Sequence, residues 1–370
     1  MVFLFLLLLI YLLFFSISIL GFFKFNKKTF PNLDSYIVSN LTVVIPFRNE
    51  ESRIFGLLES IQKQTDLEIV KEFLFIDDHS NDNSVSIISS WIDKNKINAR
   101  IIYLKRNYGK KHAITIATKM ANTSHIMTLD ADVNFKENFF NNIKNKIFLE
   151  RGLYIFPVVE NNGLIFSQIE SHVLSIISIG MLNLKIPILA NGACLVYSKE
   201  DFLAVEPFKN NYNISSGDDL FILQFFKKNN IPIKSVSPFL LNVCTAGPEK
   251  IKPLFHRSLR WSGKMHSVKL PLTKFFGTII LLTNFFSILI FFKLLIHPYL
   301  GYESLYILVK FFLDLIVVFL ALKHYKNLKL FIYTFPMFLF YPIGLLINCS
   351  LIIFRISPYW KGRKVINISS

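Results

Sequence analysis

The distribution of apolar residues along the chain most constrains what it can fold into. Residues 2–23 are almost wholly apolar and uncharged, and three further apolar blocks lie near the C-terminus, at Phe275–Ile296, Leu305–Leu322 and Leu330–Phe354. An α-helix needs about 20 such residues to cross the hydrocarbon core of a bilayer. The pattern therefore predicts membrane helices at both ends of the chain, with a more polar section between them.

Residues 1–23 are interpreted as an N-terminal transmembrane anchor. A cleavable signal peptide is the alternative, since it also contains an apolar core. However, no Lys or Arg precedes the core here, and no small-x-small cleavage site follows it. These two features favour a retained anchor.

The charges that flank the apolar blocks predict the orientation of the chain. Lys24, Lys27 and Lys28 follow the first block, the loop 297–304 has no Lys or Arg, and the loop 323–329 has three lysines. Cytoplasmic loops of membrane proteins are enriched in Lys and Arg. The chain is therefore expected to be an integral membrane protein whose polar middle section lies in the cytoplasm.

The C-terminal transmembrane region is assigned to residues 275–354, and a basic tail follows at residues 355–370. A simple fourth span would export this tail against the charge rule. Pro336, Pro342 and Gly344 favour a broken or re-entrant helix pair in the last block, which would return the tail to the cytoplasm. The sequence leaves this topology open.

The formal net charge of the 370-residue chain is +16, from 41 basic and 25 acidic residues. Such a charge suits the anionic lipids of a membrane face and phosphate-bearing substrates. Nucleic acid is a rival partner for any basic chain, but the sequence has no helix-turn-helix, zinc-finger or aromatic RNA-binding motif. We therefore expect membrane lipids and no nucleic acid among its partners.

Residues 41–240 alternate between short apolar runs and helical stretches, which is typical of an α/β domain with a mainly parallel sheet. Ligands bind such sheets beyond the carboxyl ends of the strands. The residues at those ends are therefore the candidates for function. The predicted strands are Leu41–Pro46, Glu72–Ile76, Arg100–Leu104 and His125–Leu129, and the predicted helices are Glu50–Gln64, Ser84–Lys94 and Lys111–Met120.

Polar residues follow the first two predicted strands. Pro46, Asn49 and Glu50 come after the first strand, where Asn49 would also suit a helix cap. Asp78 follows the second strand in a segment with more acids than a cap requires. A carboxylate at that position can accept hydrogen bonds from a nucleobase or a ribose, so Asp78 is a candidate for nucleoside recognition.

Asp130-Ala131-Asp132 follows the fourth predicted strand. Two carboxylates at a sheet edge can hold a hard divalent cation while substrate phosphates complete its coordination shell, although a solvated turn is the alternative. Lys110 follows Gly109 at the junction with the predicted helix Lys111–Met120, where it can approach phosphate oxygens or lie in a solvated basic turn. The small-residue turn at 191–193 can let a sugar approach the backbone or be a plain tight turn.

Two further motifs precede the C-terminal apolar blocks. Asp218 and Asp219 open the helical segment 220–228, where one carboxylate suits a cap and the other can serve as a general base. Arg260 and Trp261 lie in a segment interpreted as interfacial, residues 241–270. They can neutralise a pyrophosphate and stack on a sugar, or simply anchor the segment to lipid head groups.

Five motifs in this order resemble those of the family 2 glycosyltransferases, especially the membrane-embedded synthases of cellulose, chitin and hyaluronan type. They are strand-Pro-x-x-Asn-Glu, Asp-Asp-x-Ser-x-Asp, Asp-x-Asp, Gly-Asp-Asp and Arg-Trp, and they lie within residues 41–264. The resemblance implies a GT-A fold for residues 41–240. It also implies an inverting, metal-dependent transfer of a sugar from a UDP- or GDP-sugar to a hydroxyl of a lipid-linked or glycan acceptor.

The resemblance further implies a role for each motif. It makes Asp78 the nucleoside contact, Asp130 and Asp132 the acids that bind the sugar nucleotide with Mg²⁺ or Mn²⁺, and Asp219 the general base. Arg260 and Trp261 match the end of the Gln-x-x-Arg-Trp motif, but Arg257 stands at the Gln position. Because the complete motif is associated with processive synthases, this departure favours single additions or a short-chain product.

A second function remains open on the sequence alone. A catalytically silent membrane protein could keep the same fold as a sensor of sugar nucleotides or as a scaffold. Loss of acids from the motifs would favour that alternative, and none of the motif acids is missing.

Overall fold

A computed structural model describes residues 2–25, 40–146, 150–212, 214, 216–236, 241–299, 301–354, 359–360 and 363–364. Lys27, Lys28 and most of the basic tail therefore lie outside the described residues. The described residues form an α/β domain flanked by long apolar helices. This confirms the predicted fold class.

The centre of the α/β domain is a mainly parallel sheet. Strands β1, β2, β3 and β4 pair in parallel, as do β6 and β9, while β8 runs antiparallel to both of its neighbours. All four predicted strands are present to within two residues at each end. In their order across the sheet, the strands are β3 (Ala99–Tyr103), β2 (Val70–Asp77), β1 (Leu41–Phe47), β4 (His125–Leu129), β8 (Cys194–Ser198), β6 (Leu153–Ile155) and β9 (Ile233–Ser235).

Helices cover both faces of this sheet because alternate strand residues point to opposite sides. On one face Val43 and Ile45 pack against the first helix, and on the other Val44 packs against the helix that Lys110 opens. The first helix of the α/β domain was predicted to begin at Glu50, but it begins at Ile54 because residues 51–53 form turns. The helices of the domain are α2 (Ile54–Gln62), α3 (Ser84–Asn95), α4 (Lys110–Met120), α5 (Phe139–Lys146), α6 (Ile165–Asn183), α7 (Lys199–Val205) and α8 (Asp218–Lys228).

A smaller sheet and a further helix complete the domain. The strands β5 (Val133–Phe135), β10 (Val243–Thr245) and β7 (Val158–Glu160) lie side by side in that order. The helix α9 (Ile251–Gly263) follows β10 and continues as a 3₁₀ turn, Lys264–His266. Part of the segment interpreted as interfacial thus pairs with strands of the α/β domain, while Arg260 and Trp261 lie on α9.

Among the described residues, five helices are long and apolar enough to cross a membrane. Four coincide with the predicted blocks, and α6 is the fifth. The last block forms a 3₁₀ run, Leu328–Tyr333, followed by one helix that contains Pro342. The helices outside the α/β domain are α1 (Val2–Phe25), α10 (Pro271–Ile296), α11 (Tyr302–His324) and α12 (Thr334–Ile353), and the two short strands β11 (Tyr359–Trp360) and β12 (Arg363–Lys364) follow.

The N-terminal helix packs tightly onto the α/β domain. Phe22 of α1 is fully buried in the cluster that contains Val44 and Ala113 of the domain. Gly21 of α1 crosses Gly180 of α6 so closely that a Cβ atom on Gly180 would lie 1.9 Å from the carbonyl oxygen of Ser18. Small residues allow two helix backbones to approach in this way. The helix is therefore part of the domain's packing as well as long and apolar enough to cross a membrane.

We expect the substitution Gly180→Ala to lower the thermal stability of the detergent-solubilised protein. The added methyl group must push α1 and α6 apart, and overpacking of this kind costs about 1–3 kcal/mol. Gly277→Ala is the matched control, because nothing lies within 4 Å of a Cβ atom there. Thermal unfolding should show a lower midpoint for Gly180→Ala only. Equal midpoints for the two variants would contradict the close crossing.

Candidate functional site

The candidate residues meet at the carboxyl edge of the parallel sheet. Asp78 directly follows β2 and Asp130 directly follows β4. Because β8 is antiparallel to β4, with Leu129 opposite Cys194, the turn at 191–193 reaches the same edge. The backbone N–H of Asp130 donates to the carbonyl oxygen of Ala193 at 3.1 Å, which fixes the two segments together.

Asp78 holds the loop that leads into α4. Its carboxylate accepts hydrogen bonds from the backbone N–H of Tyr108 at 2.8 Å and from that of Gly109 at 2.9 and 3.0 Å. The side chain is 4% exposed. Asp78 therefore positions the loop in front of Lys110, a role that sequence reasoning did not assign. Each carboxylate oxygen has two lone pairs, so a contact with a nucleoside is compatible with this role.

The Lys110 ammonium group lies at the centre of the site. Its Nζ is 2.7 Å from Asp130 Oδ1 and 2.7 Å from Asp218 Oδ2, and it donates to the carbonyl oxygen of Gly192 at 3.1 Å. These contacts use all three of its N–H donors. A Cβ atom at position 192 would lie 2.7 Å from the Asp218 carboxylate, so a side chain there would displace Asp218 from its place beside Lys110.

The pKa values of these groups shift in different directions. Burial raises the pKa of Asp130, and the Asp132 and Asp218 carboxylates add to the effect while Lys110 opposes it. Burial also opposes ionisation of Asp218, but Lys110 and the neighbouring lysines outweigh it and lower its pKa. Burial would lower the pKa of Lys110, but the two aspartates raise it further than burial lowers it. The site therefore holds an ammonium group between an ionised Asp218 and an Asp130 that gains a proton more readily than a free aspartate.

Asp132 lies beside this centre and contacts a different cation. Its Oδ2 is 3.6 Å from the Arg53 guanidinium group, and its Oδ1 accepts a hydrogen bond from Thr245 Oγ1 at 3.4 Å. These contacts are long, and the Arg53 side chain is 54% exposed. Asp132 is therefore weakly held, and a stronger cation can displace Arg53 from it.

The two adjacent aspartates of the Gly-Asp-Asp motif have different partners. Asp218 binds Lys110, whereas Asp219 Oδ1 is 3.1 Å from Nζ of Lys264, in the 3₁₀ turn after α9.

Lys111 fixes the segment that leads into α8, because its Nζ donates to the carbonyl oxygens of Asn211 and Ile214 at 2.8 and 2.7 Å. Burial lowers the pKa of Lys111 to about 7.

Arg257 attaches α9 to the rest of the domain. Its guanidinium group forms an ion pair with Glu160, at the end of β7, and donates to Ser167 Oγ at 2.6 Å. The Ser167 hydroxyl in turn donates to Glu160. The guanidinium carbon lies 4.5 Å from the centre of the Trp261 ring, a cation–π contact. Arg257 therefore orients the helix that carries Arg260 and Trp261.

Arg260 lies among the acids of the site. Burial lowers its pKa, while Asp218, Asp130 and Asp219 act in the opposite direction. These electrostatic interactions place Arg260 near the three aspartates. The structure thus brings together Asp130, Asp218, Asp219, Lys110 and Arg260, as expected from their order in the sequence.

The residues after β1 support the loops of the site. Pro46 is buried within β1, and Glu50 is 8% exposed with its backbone N–H donating to Ser84 Oγ at 2.8 Å. Asn49 has a positive φ of 50°. Its side-chain oxygen accepts from the backbone N–H of Asn81 at 2.9 Å, which links the loop after β1 to the loop after β2.

Sequence reasoning missed the partners that come from distant segments. Glu160 and Ser167 lie outside every motif, yet both bind Arg257. The pairing of Lys264 with Asp219 also joins residues that are 45 positions apart. The only available signal was the Arg at position 257, since a cation in place of a neutral Gln requires a nearby anion when it is buried.

The comparisons with known proteins agree with this geometry. Residues 42–186 match the model of glycosyl transferase family 2. A segment of 97 residues is 35% identical to the undecaprenyl-phosphate 4-deoxy-4-formamido-L-arabinose transferase of Proteus mirabilis, and covers 26% of this chain and 30% of that protein. A segment of 112 residues is 29% identical to the dolichyl-phosphate beta-glucosyltransferase of Dictyostelium discoideum, and covers 28% of this chain and 34% of that protein.

A solved structure matches over nearly the whole chain. The mannosyltransferase of Pyrobaculum calidifontis, in complex with GDP-Man and Mn²⁺, superposes with a TM-score of 0.54 at 12% identity and covers 95% of this chain and 99% of its own. This similarity defines the class of fold, a GT-A-like α/β domain with apolar helices. The segment that matches the family 2 model, residues 42–186, lies within this α/β domain. The chain spans only about a third of the length of the two curated relatives.

Proposed function

We propose that this protein is an inverting glycosyltransferase of the membrane, which moves a sugar from a nucleotide diphosphate sugar to a hydroxyl of a lipid-linked or glycan acceptor. The observation that carries the proposal is the convergence of Asp130, Asp218 and Lys110 at the carboxyl edge of the sheet. The match of residues 42–186 to the family 2 model supports a glycosyltransferase, and the lipids in the names of two relatives support a lipid-linked acceptor. The apolar helices favour a lipid-linked acceptor over a soluble one.

Different residues of the site have different roles in the proposed transfer. Asp219 takes the proton from the acceptor hydroxyl, and the acceptor oxygen attacks the anomeric carbon from the face opposite the nucleotide. The bond from that carbon to the diphosphate breaks, so the configuration inverts and the nucleotide diphosphate leaves. Arg260 and the positive charge of Lys110 stabilise the negative charge that develops on the leaving group, and a well-placed donor contributes roughly 3 kcal/mol to such a task.

The carboxylates of the site suit Mg²⁺ or Mn²⁺. Among the described residues, no group of three His, Cys, Asp or Glu side chains is arranged to hold a metal ion by itself. Asp130 and Asp132 would supply two oxygen ligands, and the donor's phosphates would supply others, as is usual for Mg²⁺. Lys110 occupies one Asp130 oxygen at 2.7 Å, which marks that carboxylate as a cation site. When bound, the metal would neutralise charge on the diphosphate.

The lysines that follow α1 support an orientation in which the α/β domain faces the cytoplasm, because cytoplasmic segments next to a span are enriched in Lys. Nucleotide sugars would then be used on the side of the membrane where the domain lies. The departure from the Gln-x-x-Arg-Trp motif at Arg257 favours single additions.

We expect the purified protein to release nucleotide from one member of a panel of UDP- and GDP-sugars, with an increase on addition of membrane lipid extract. Chelation with EDTA should abolish this release, and Mn²⁺ or Mg²⁺ should restore it. Asp132→Asn should require more metal for the same rate, whereas Asp93→Asn, at an exposed position on α3, should not. If the folded protein releases nucleotide from no member of the panel, the result would favour the alternative function as a sensor or scaffold. Full activity in EDTA would contradict the role of the metal.

A further inference from the structure

The long apolar helices line a partly open cavity of about 110 Å³. Its walls come from α1, α6, α10, α11 and α12, and most of the lining is apolar, with Phe15, Phe311 and Phe338 among its side chains. One water molecule needs roughly 10–15 Å³ on a comparable measure. The cavity therefore has room for a ligand group of several heavy atoms, or for several waters.

An ion pair lies in the wall of this cavity. Nζ of Lys310 is 2.6 Å from Asp314 Oδ2, and the Tyr11 hydroxyl donates to Asp314 Oδ1 at 2.8 Å. Lys310 is 1% exposed. Charged residues within membrane segments are rare and usually line a functional path. Because Lys310 and Asp314 neutralise each other, they add polarity to the cavity without adding net charge.

Two further polar side chains in the lining, Asn284 and Thr334, each have an atom without a hydrogen-bond partner among the described residues. Asn284 is 1% exposed and Thr334 is 4% exposed. Asn284 Oδ1 and Thr334 Oγ1 form no hydrogen bond within the described part of the chain. A buried polar atom without a partner costs free energy, and the cost is larger inside a membrane, where water is scarce. These atoms indicate that a polar group or water normally occupies the cavity.

The chemistry of the lining defines that group. The Asn284 amide oxygen needs a hydrogen-bond donor, and the Thr334 hydroxyl can donate or accept. Glu170 adds a carboxylate, which interacts electrostatically with Arg257. Lys310, the lysine among the lining residues, already binds Asp314. A phosphate group would therefore meet two carboxylates and a lysine whose charge Asp314 already offsets, whereas a hydroxyl or an amide N–H would satisfy the acceptors.

One face of α6 connects this cavity to the catalytic edge. Ser167, which binds Arg257, and the cavity residues Glu170, Leu174 and Ile177 follow one another at intervals of three or four positions. Residues with this spacing lie on the same face of a helix. At 1.5 Å per residue, Ser167 and Leu174 are roughly 10 Å apart along the helix axis.

We propose that the cavity binds the acceptor lipid, at the part of the lipid that adjoins its reacting hydroxyl. We further propose that this lipid is uncharged and carries hydroxyl or amide groups beside its hydrocarbon chains. The inference rests on the proposed glycosyl transfer and narrows its acceptor. The proposed acceptor differs from the polyprenyl phosphates to which the names of the two relatives refer. A polyprenyl chain has no groups that could satisfy Asn284 and Thr334.

The test compares three acceptors in proteoliposomes, with the donor that the nucleotide-release panel selects. The acceptors are a diacylglycerol, a long-chain N-acyl amino alcohol and a polyprenyl phosphate. The double substitution Asn284→Leu with Thr334→Val removes the two unpartnered atoms, and Thr278→Val, at an exposed position on α10, is the control. We expect transfer to an uncharged lipid, with an acceptor KM raised about tenfold in the double variant and an unchanged KM for the donor.

A second measurement uses the unmodified protein and does not depend on turnover. A photoactivatable diacylglycerol should label peptides of α11 or α12 that line the cavity, and an unlabelled uncharged lipid should compete while the polyprenyl phosphate should not. Transfer to the polyprenyl phosphate alone, with an unaffected double variant, would overturn the cavity assignment and leave the glycosyl transfer standing. Absence of nucleotide release with every donor would overturn both.

Discussion

The substitution Asp219→Asn should lower the rate of glycosyl transfer by about 10²–10⁴-fold, the usual contribution of a positioned general base. An amide cannot take the proton from the acceptor hydroxyl, so the loss should fall on kcat. Binding of the nucleotide sugar should persist, because Lys110, Asp130 and Asp218 are retained. Turnover measured under saturating donor and acceptor, with donor binding measured by calorimetry, separates the two effects.

The neighbouring aspartate provides the contrast for this experiment. Asp218→Asn removes a carboxylate that lies 2.7 Å from the Lys110 ammonium group, so it should weaken donor binding and disturb Lys110 as well as slow transfer. Lys264→Met should leave the Asp219 carboxylate in place but less well oriented, with a smaller loss of kcat. Unchanged turnover in Asp219→Asn would show that Asp219 is not the general base. It would favour an acceptor whose attacking oxygen is already ionised, such as a phosphate.

Much of the fold could be predicted because its signals are local. The buried strands β1 and β4 are continuous apolar runs, which are typical of parallel sheets. Polar residues follow these runs, and in such sheets the carboxyl ends of the strands are where ligands bind. The membrane helices follow from length and composition alone. The start of α2 was predicted four residues too early, because Glu51, Ser52 and Arg53 are as compatible with a helix as with the turns that they form.

The interior of the site could not be predicted in the same way. Sequence order indicates that Asp130 and Asp218 lie at one edge, but not that a single ammonium group binds both. The separate partners of Asp218 and Asp219 depend on where the 3₁₀ turn after α9 places Lys264, and no local pattern encodes that. The packing of Phe22 into the domain core likewise depends on two glycines, at positions 21 and 180, that no hydropathy pattern singles out.

The ion pair between Arg257 and Glu160 explains the departure from the Gln-x-x-Arg-Trp motif. The side chain of Glu160 is 3% exposed and that of Arg257 is 15% exposed, so the pair is buried. Removing one partner of a buried pair leaves an uncompensated charge, which costs about 3–5 kcal/mol. We therefore expect Arg257→Gln, which restores the common motif, to destabilise the protein and to reduce transfer, because α9 loses the contact that orients Arg260 and Trp261.

A double-mutant cycle distinguishes this explanation from a direct role of Arg257 in catalysis. Arg257→Gln and Glu160→Gln should each lower the midpoint of thermal unfolding, and the double variant should recover most of that loss, because two neutral amides can bind each other and Ser167. If Arg257 only orients α9, transfer should recover together with stability. If the guanidinium group contacts the substrate, stability should recover while transfer stays low. Additive losses in the double variant would mean that the two residues do not act as a pair, and the reason for an arginine at position 257 would then lie with the substrate.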